Sequence, residues 1–397
     1  MRFPGFEGAW SAEYFDDVAT GFEYGLNAAA VDFDGVHKYI RITDIDDTSH
    51  KFIGSPVVSP AGEIDEKYRV RPNDILLART GASTGKSYLY DSSDGELYFA
   101  GFLIRASVRP EYDARFVFYS TCTPPYRRWV NMISMRSGQP GINADEYSRY
   151  NLNIPTHSEQ VQIGTFLALL DSKITAQHKL VELLKKHKRG VIEQILGRRL
   201  DMGENSEKWN VVELRDLFLK VARRNRDGKV KNVITNSAEF GLIPQRDFFD
   251  KSIAVDGNTD GYYVIRTGDF VYNPRKSTTA PFGPFNRYSG TEDGIISPLY
   301  TCLVPKGKAN PDYLAWYFRS TAWHRYVYDN GSQGARHDRV NMTDDLLFGI
   351  PVLLPPIAVQ ERIADGLNAI DARWSSANKV LAHLEKMKRG LLQQLFA

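Results

Sequence analysis

Cysteine is nearly absent: Cys122 and Cys302 are the only two in 397 residues. That excludes a disulfide framework and a cysteine-ligated zinc site, and it fits a reducing compartment. An excess of one charge is also lacking, since 50 Lys and Arg face 48 Asp and Glu for a net charge of +2. A histone-like polycation and an acidic disordered chain are both excluded, so any nucleic-acid contact must come from local patches. The opening Met1–Gly5 stretch has no basic segment leading into an apolar core, and no apolar run reaches membrane-spanning length. The expectation is a cytoplasmic protein with no membrane contact. Catalytic constellations are missing too. The eight histidines show no metal-ligand spacing, and no Ser/His/Asp order with a nucleophile elbow occurs. The run from Thr80 to Ser87 approaches a phosphate-binding loop, but Thr80 stands where glycine is required and no helical pattern follows. Thr123-Pro-Pro-Tyr126 approaches the corner of amino-methyltransferases, but threonine cannot supply the acceptor there, and the segment reads as a tandem-proline turn. No catalytic residue, no metal and no cofactor is expected in this chain.

What is present is an ordinary globular composition, 42% hydrophobic and 25% charged, on a chain long enough for several domains. The chain also repeats itself. Trp10, Phe15 and Asp17 correspond in spacing to Trp209, Leu214 and Asp216. Pro155, Gln160, Ile163, Leu167, Asp171, Lys179, Leu184, Lys186, Lys188, Arg189, Gly190 and Gln194 recur, without a gap, as Pro355, Gln360, Ile363, Leu367, Asp371, Lys379, Leu384, Lys386, Lys388, Arg389, Gly390 and Gln394. Between these anchors the match is weak, with Arg69–Leu77 pairing loosely with Val264–Tyr272. A period of about 200 residues is far too long for a solenoid, so each copy is a full domain with an attached segment.

Those attached segments carry the strongest periodicity. Ile163, Leu167, Leu170, Ile174, Val181, Leu184, Val191 and Ile195 are spaced as a heptad seam, and Ile363, Leu367, Ile370, Trp374, Leu381, Leu384, Leu391 and Leu395 keep the same rhythm. A seam sustained this long selects a coiled coil over a helix of a globular core. Thr156–Glu159 after Pro155 reads as a capping box, and Gly197 as the end of the first helix. At 1.5 Å per residue, about 38 residues make a rod of about 57 Å, which needs a partner to bury its stripe. A pseudo-two-fold relation between the copies makes the other helix that partner, running antiparallel; separate homodimeric coiled coils are the alternative.

The expected fold class is α+β: two similar mixed domains, residues 1–150 and 200–350, separated by long antiparallel helices at 151–199 and 351–397. Short runs rich in Val, Ile, Tyr and Phe, such as 38–42, 74–77, 99–104 and 262–265, read as strands, and 115–119 with 313–318 as helices. Basic and amide residues cluster in the intervening loops. In the first domain they are Arg79, Lys86, Arg127, Arg128, Arg136, Gln139 and Asn143; in the second, Asn273, Arg275, Lys276, Arg287, Gln333, Arg336, His337 and Arg339. Arg and Lys pair with phosphates or guanine edges and Asn and Gln with adenine, so these loops suit double-stranded DNA.

At Pro155, Gln160, Leu167, Asp171, Lys188, Arg189, Gly190 and Gln194, and at Pro355, Pro356, Gln360, Leu367, Asp371, Lys388, Arg389, Gly390, Gln394 and Phe396, the chain resembles the specificity subunits of type I restriction-modification enzymes. The domain openings at Trp10 and Trp209 are similar to that family as well. The resemblance implies a non-catalytic subunit with two target-recognition domains, each reading one half of a bipartite DNA target. It also implies paired helices that set the spacer and dock two methyltransferase subunits, joined by restriction subunits. S-adenosylmethionine, ATP and magnesium would belong to those partners. Two rival readings remain open: a self-contained DNA modification enzyme, and a protein-binding scaffold that never touches DNA.

Overall fold

The computed structural model describes residues 2–135, 140–197, 209–247, 259–331 and 338–396. It is a mixed chain of helices and strands that divides into two units, residues 1–179 with 378–397, and residues 180–377.

In the first unit, Asp74–Ala78 is buried along its whole length. It is an inner strand of a four-stranded antiparallel sheet ordered Ala19–Tyr24, Leu103–Val108, Asp74–Ala78, Ser87–Leu89. An unbroken apolar run is what a strand covered on both faces requires. Ile75 and Leu77 point into a core with helix Ala114–Ser120, while Leu76 and Ala78 point into a second core with Ile40, Leu97 and Phe99. The strand opens on a tight turn. Asn73 takes a φ of +71°, and the buried Asp74 carboxylate accepts the Arg71 N–H at 2.8 Å and the Ser107 hydroxyl at 2.6 Å.

The second unit rebuilds this arrangement. Its sheet runs Phe218–Val221, Thr301–Pro305, Phe270–Tyr272, Phe285–Arg287. Phe270 and Tyr272 face one core, Val271 the other. Gly268, at φ +94°, precedes Asp269, whose carboxylate accepts the Arg266 N–H at 2.8 Å and Arg223 Nη1 at 2.6 Å. The loose sequence match between 69–77 and 264–272 is therefore a structural equivalence.

Several local expectations are corrected. Residues 99–104 are not one strand: Leu97–Phe99 and Leu103–Val108 belong to different sheets, with a turn between them. The tandem prolines do not make a turn; they occupy the first positions of helix Pro124–Ser134, capped by the Thr123 hydroxyl, which accepts the Tyr126 N–H at 3.4 Å. Residues Asn151–Ile154 and Pro351–Leu354, placed with the long helices by boundaries at 150 and 350, are strands that pair with Ser11–Tyr14 and Asn210–Glu213. Pro155 and Pro355 follow these strands, and proline disfavours helix in the residue before it. The long helices are His157–Ile192, continued by a π-helical turn Glu193–Gly197, and Ile357–Leu395.

At the start of the first long helix the expected capping box is replaced. The fully buried Glu159 carboxylate receives Arg2 Nε at 2.8 Å and Nη2 at 2.7 Å. Gln160 does the joining: its Oε1 accepts the Asp113 N–H at 3.0 Å and its Nε2 donates to the Pro155 carbonyl at 2.9 Å. Gln360 repeats both bonds, with the Asn310 N–H at 2.9 Å and the Pro355 carbonyl at 2.8 Å. Asp113 and Asn310 in turn cap helices Ala114–Ser120 and Pro311–Tyr317.

Both long helices contribute to both units. Within the first unit, Lys388 Nζ lies 2.6 Å from Asp171 Oδ1 and His178 Nε2 lies 3.0 Å from Glu385 Oε1, so these segments run antiparallel. Within the second, Lys188 Nζ lies 2.8 Å from Asp371 Oδ1. The repeated Asp and Lys thus exchange partners between copies. Of the heptad positions, Ile163, Leu167, Leu170, Val181, Leu367, Leu381, Leu384 and Leu395 are buried, and Ile174, Leu184, Val191, Ile195, Ile363, Ile370, Trp374 and Leu391 are partly buried. Near the helix ends the deeper positions are Ile192, Leu196 and Leu392, one residue past the seam, because there the helices pack into the globular cores.

Candidate nucleic-acid interface

In each unit the chain leaving the third sheet strand in sequence-equivalent position is laid beside the segment preceding the last short helix. In the first unit these are 79–86 and 140–143. Gly81 N–H donates to the Pro140 carbonyl at 3.0 Å and Ile142 N–H to the Arg79 carbonyl at 2.9 Å. The buried Tyr147 hydroxyl accepts the Gly85 N–H at 3.1 Å and donates to the Ala78 carbonyl at 2.6 Å. Gly85 has φ +86°, and a Cβ there would lie 2.6 Å from Val130, so only glycine lets the loop close on helix Pro124–Ser134.

In the second unit the paired segments are 273–277 and 338–340. Lys276 N–H donates to the Asp338 carbonyl and Val340 N–H to the Pro274 carbonyl, both at 2.9 Å. The Arg275 and Arg339 Nε atoms each lie 3.9 Å from an Asp338 carboxylate oxygen. Burial pushes the Tyr300 hydroxyl pKa up, and the nearby Arg275 and Arg339 oppose it. Arg339 and Asn341 also line a recess of about 380 Å³.

The structure sorts the residues singled out in the loops. Arg127 and Arg128 are exposed on helix Pro124–Ser134, and Arg275 is exposed on its loop. Arg79, partly buried, holds its guanidinium 4.7 Å over the Tyr24 ring. Lys276 and Arg339 are partly buried beside Asp338. Four others already have partners within the chain. Lys86 donates to the Ile45 carbonyl at 2.9 Å and the Ile42 carbonyl at 3.3 Å, and pairs with Asp47 at 2.5 Å. Asn143 accepts the Glu146 N–H as a helix cap, the buried Asn273 accepts the Arg275 N–H, and Arg287 pairs with Asp312. In each case a nearer partner inside the fold holds the side chain. Arg136, Gln139, Gln333, Arg336 and His337 lie outside the described residues.

The near-match to a phosphate-binding loop is a strand, a short turn and a strand, Asp74–Ala78, Gly81–Ser83 and Ser87–Leu89, with its lysine turned onto backbone carbonyls. Among the described residues no group of His, Cys, Asp and Glu could hold a metal ion, and no helix is long and apolar enough to cross a membrane. Sequence reasoning missed the structural use of Gln160, Gln360, Asp74 and Asp269. Their recurrence between copies was the signal.

The two units thus share a mixed sheet-and-helix domain with two juxtaposed loops, and a long helix follows each domain in the chain. Residues 26–186 match the family described as Type I restriction modification DNA specificity domain. Over 418 aligned residues the chain is 23% identical to the Putative type I restriction enzyme MjaX specificity subunit of Methanocaldococcus jannaschii, covering 97% of this chain and 92% of the relative. It is 25% identical over 353 residues to the Type I restriction enzyme MjaVIII specificity subunit of the same organism, covering 82% and 79%. Among solved structures, the type I restriction-modification S subunit from M. genitalium superposes with a TM-score of 0.60 at 12% identity, over 100% of this chain and 99% of that one. A chain from a structure on complex assembly and conformational transition of the type I R-M system gives 0.54 at 14% identity, over 97% of both. At such identities the two structures show a shared fold. The chain is thus similar, over residues 26–186 to the family and over most of its length to these relatives, to specificity subunits of type I restriction-modification enzymes.

Proposed function

We propose that this chain reads a bipartite DNA target for a type I restriction-modification complex, each unit contacting one half of the target through its paired loops. The observation that carries the reading is the duplication of the loop pair: Arg79 beside 140–142 in one unit, and Arg275 with Arg339 across one bridge in the other. Arginines on a glycine-bearing scaffold supply phosphate anchoring and guanine readout. In this proposal the two long helices are a self-paired coiled-coil spacer that fixes the distance between half-sites, and they dock two methyltransferase subunits, with restriction subunits joining them. The chain itself carries no catalytic step. S-adenosylmethionine, ATP and magnesium act in the partner subunits.

The test is target selection from a pool of random duplexes by the chain bound to its methyltransferase partner. Two short specified blocks separated by a constant unspecified spacer are expected. One contiguous block overturns the bipartite reading, and absence of any sequence preference favours a scaffold without DNA contact. Methyl transfer from radiolabelled S-adenosylmethionine by the purified chain alone overturns the non-catalytic assignment.

A further inference from the structure

An exposed apolar residue recurs at one structural position in the two units. In the first sheet Leu76 pairs with Arg105, and in the second Val271 pairs with Cys302. Three residues before each of these partners stand Phe102, 59% exposed, and Leu299, 58% exposed. Both occupy the third place of a tight turn, closed by the Leu103 N–H on the Ala100 carbonyl at 2.8 Å and by the Tyr300 N–H on the Ser297 carbonyl at 3.1 Å. Among the described residues neither side chain packs into a hydrophobic core. Single exposed apolar residues are ordinary on protein surfaces, so Phe102 by itself would carry nothing. The recurrence carries the argument. Ala100-Gly101 and Ser297-Pro298 share no residue, and turns favour Gly, Asn, Asp and Ser, yet both copies hold a large apolar side chain at the third place.

Each turn borders the paired loops of its unit. The Arg79 N–H donates to the Phe102 carbonyl at 3.0 Å, and the Arg79 guanidinium lies over the ring of the exposed Tyr24, whose hydroxyl accepts the Ala144 N–H at 3.2 Å. Leu299 lines one recess with Arg339, Val340 and Met342. The carboxylate on that recess, Asp344, is held by Lys220 at 2.7 Å. In both units an unburied apolar side chain therefore stands beside the arginines of the bridged loops, Arg79 in one and Arg339 in the other.

Such a side chain can bond neither a phosphate nor the donors and acceptors of a base edge. The apolar group that an unopened duplex presents in its major groove is the thymine C5-methyl, and arginines that read guanine edges work in that same groove. Insertion between base pairs is the other use of an exposed Phe or Leu on DNA, and it adds the cost of unstacking. We infer that Phe102 and Leu299 are specificity-determining residues, each packing against a thymine methyl in the half-site that its own unit reads. The inference rests on the bipartite DNA reading and adds to it two residues outside the basic and amide set.

The experiment selects targets from random duplexes with the full chain bound to its methyltransferase partner, for wild type, Phe102→Ala, Leu299→Ala and Phe102→Leu. Wild type selects a T·A pair at a fixed position in each half-site. Phe102→Ala relaxes that position in one half only and Leu299→Ala in the other, while Phe102→Leu, which keeps apolar bulk, retains part of the preference. On the selected duplex, deoxyuridine in place of that thymine removes the methyl alone. It weakens wild-type binding about fourfold, the effect of one buried carbon at about 0.8 kcal/mol, and leaves the matching alanine variant unaffected. Thermal unfolding at the wild-type midpoint establishes that each variant is folded. Unaltered half-sites in the folded alanine variants, a half-site without a T·A pair, or equal binding of uracil and thymine overturns the inference and leaves the bipartite reading standing. Absence of any sequence preference in the wild-type complex removes the DNA reading and this inference together. A variant that no longer holds the methyltransferase subunit assigns its residue to a protein contact, and 2-aminopurine fluorescence rising at the site on wild-type binding assigns it to an inserted wedge; either result overturns the methyl contact.

Discussion

Asp171 and Lys388 show how much one repeated residue can decide. Their side chains are only 16% and 14% exposed, and the Tyr119 hydroxyl completes the carboxylate's partners. Lys388→Met leaves Asp171 buried without its counter-ion, and the expected loss is about 2–4 kcal/mol by urea unfolding. Adding Asp171→Asn should restore much of it, because the uncompensated charge rather than the lost attraction carries most of the cost. The pH dependence follows from His50 and His324, both held below the ordinary imidazole value, mainly by burial. Below about pH 6.5 the unfolded chain takes up protons that the folded histidines refuse, so stability falls as pH drops through that value. Melting temperature should be flat above about pH 7.5 and decline below about pH 6.5, with a shallower decline in His50→Gln. On the DNA side, Arg275→Ala should lower the salt dependence of binding by about one counter-ion if it contacts phosphate, and relax one base position if it reads guanine.

At the scale of elements, the recurrent glutamines turn out to be joints. Gln160 and Gln360 are 2% and 3% exposed, and each ties the start of a long helix to the cap of a short one. Leucine has similar bulk but no amide, so Gln160→Leu strands a buried N–H and a buried carbonyl and should cost about 2–4 kcal/mol in chemical unfolding. Gln160→Glu can accept from Asp113 but cannot donate to Pro155, so it should not rescue. The loop after Phe270–Tyr272 closes through Gly283, at φ +83°, where a Cβ would fall 1.9 Å from the Asn273 carbonyl. Gly283→Ala should reshape that loop and weaken DNA binding more than any single exposed arginine substitution, as read by gel shift. Helices were the most legible elements because their period runs over many residues. Strands such as Leu97–Phe99 and Leu103–Val108 were merged, because a six-residue apolar run does not reveal a turn through Ala100, Gly101 and Phe102.

For the whole molecule, the duplication is the organising fact. It places the same sheet order, the same tight turn at Asp74 and Asp269, and the same glutamine joint in both units. If the helices measure the spacer, removing seven residues from each should shorten the selected spacer and leave both half-site sequences unchanged. Target selection with the shortened chain checks this, and an unaltered spacer sinks the ruler role.

The amino-acid order by itself determined the repeat and the two long amphipathic helices, because both are written in local spacing. Tertiary structure alone decided which partners the repeated Asp and Lys take, that Lys86 and Arg287 are held inside the fold, and that Arg319 faces a recess in one copy where Cys122 is packed in the other. The physical reason is the same in every case. A polar side chain bonds to whatever donor or acceptor the chain brings near it, and for these residues that neighbour is often dozens to hundreds of positions away in the sequence.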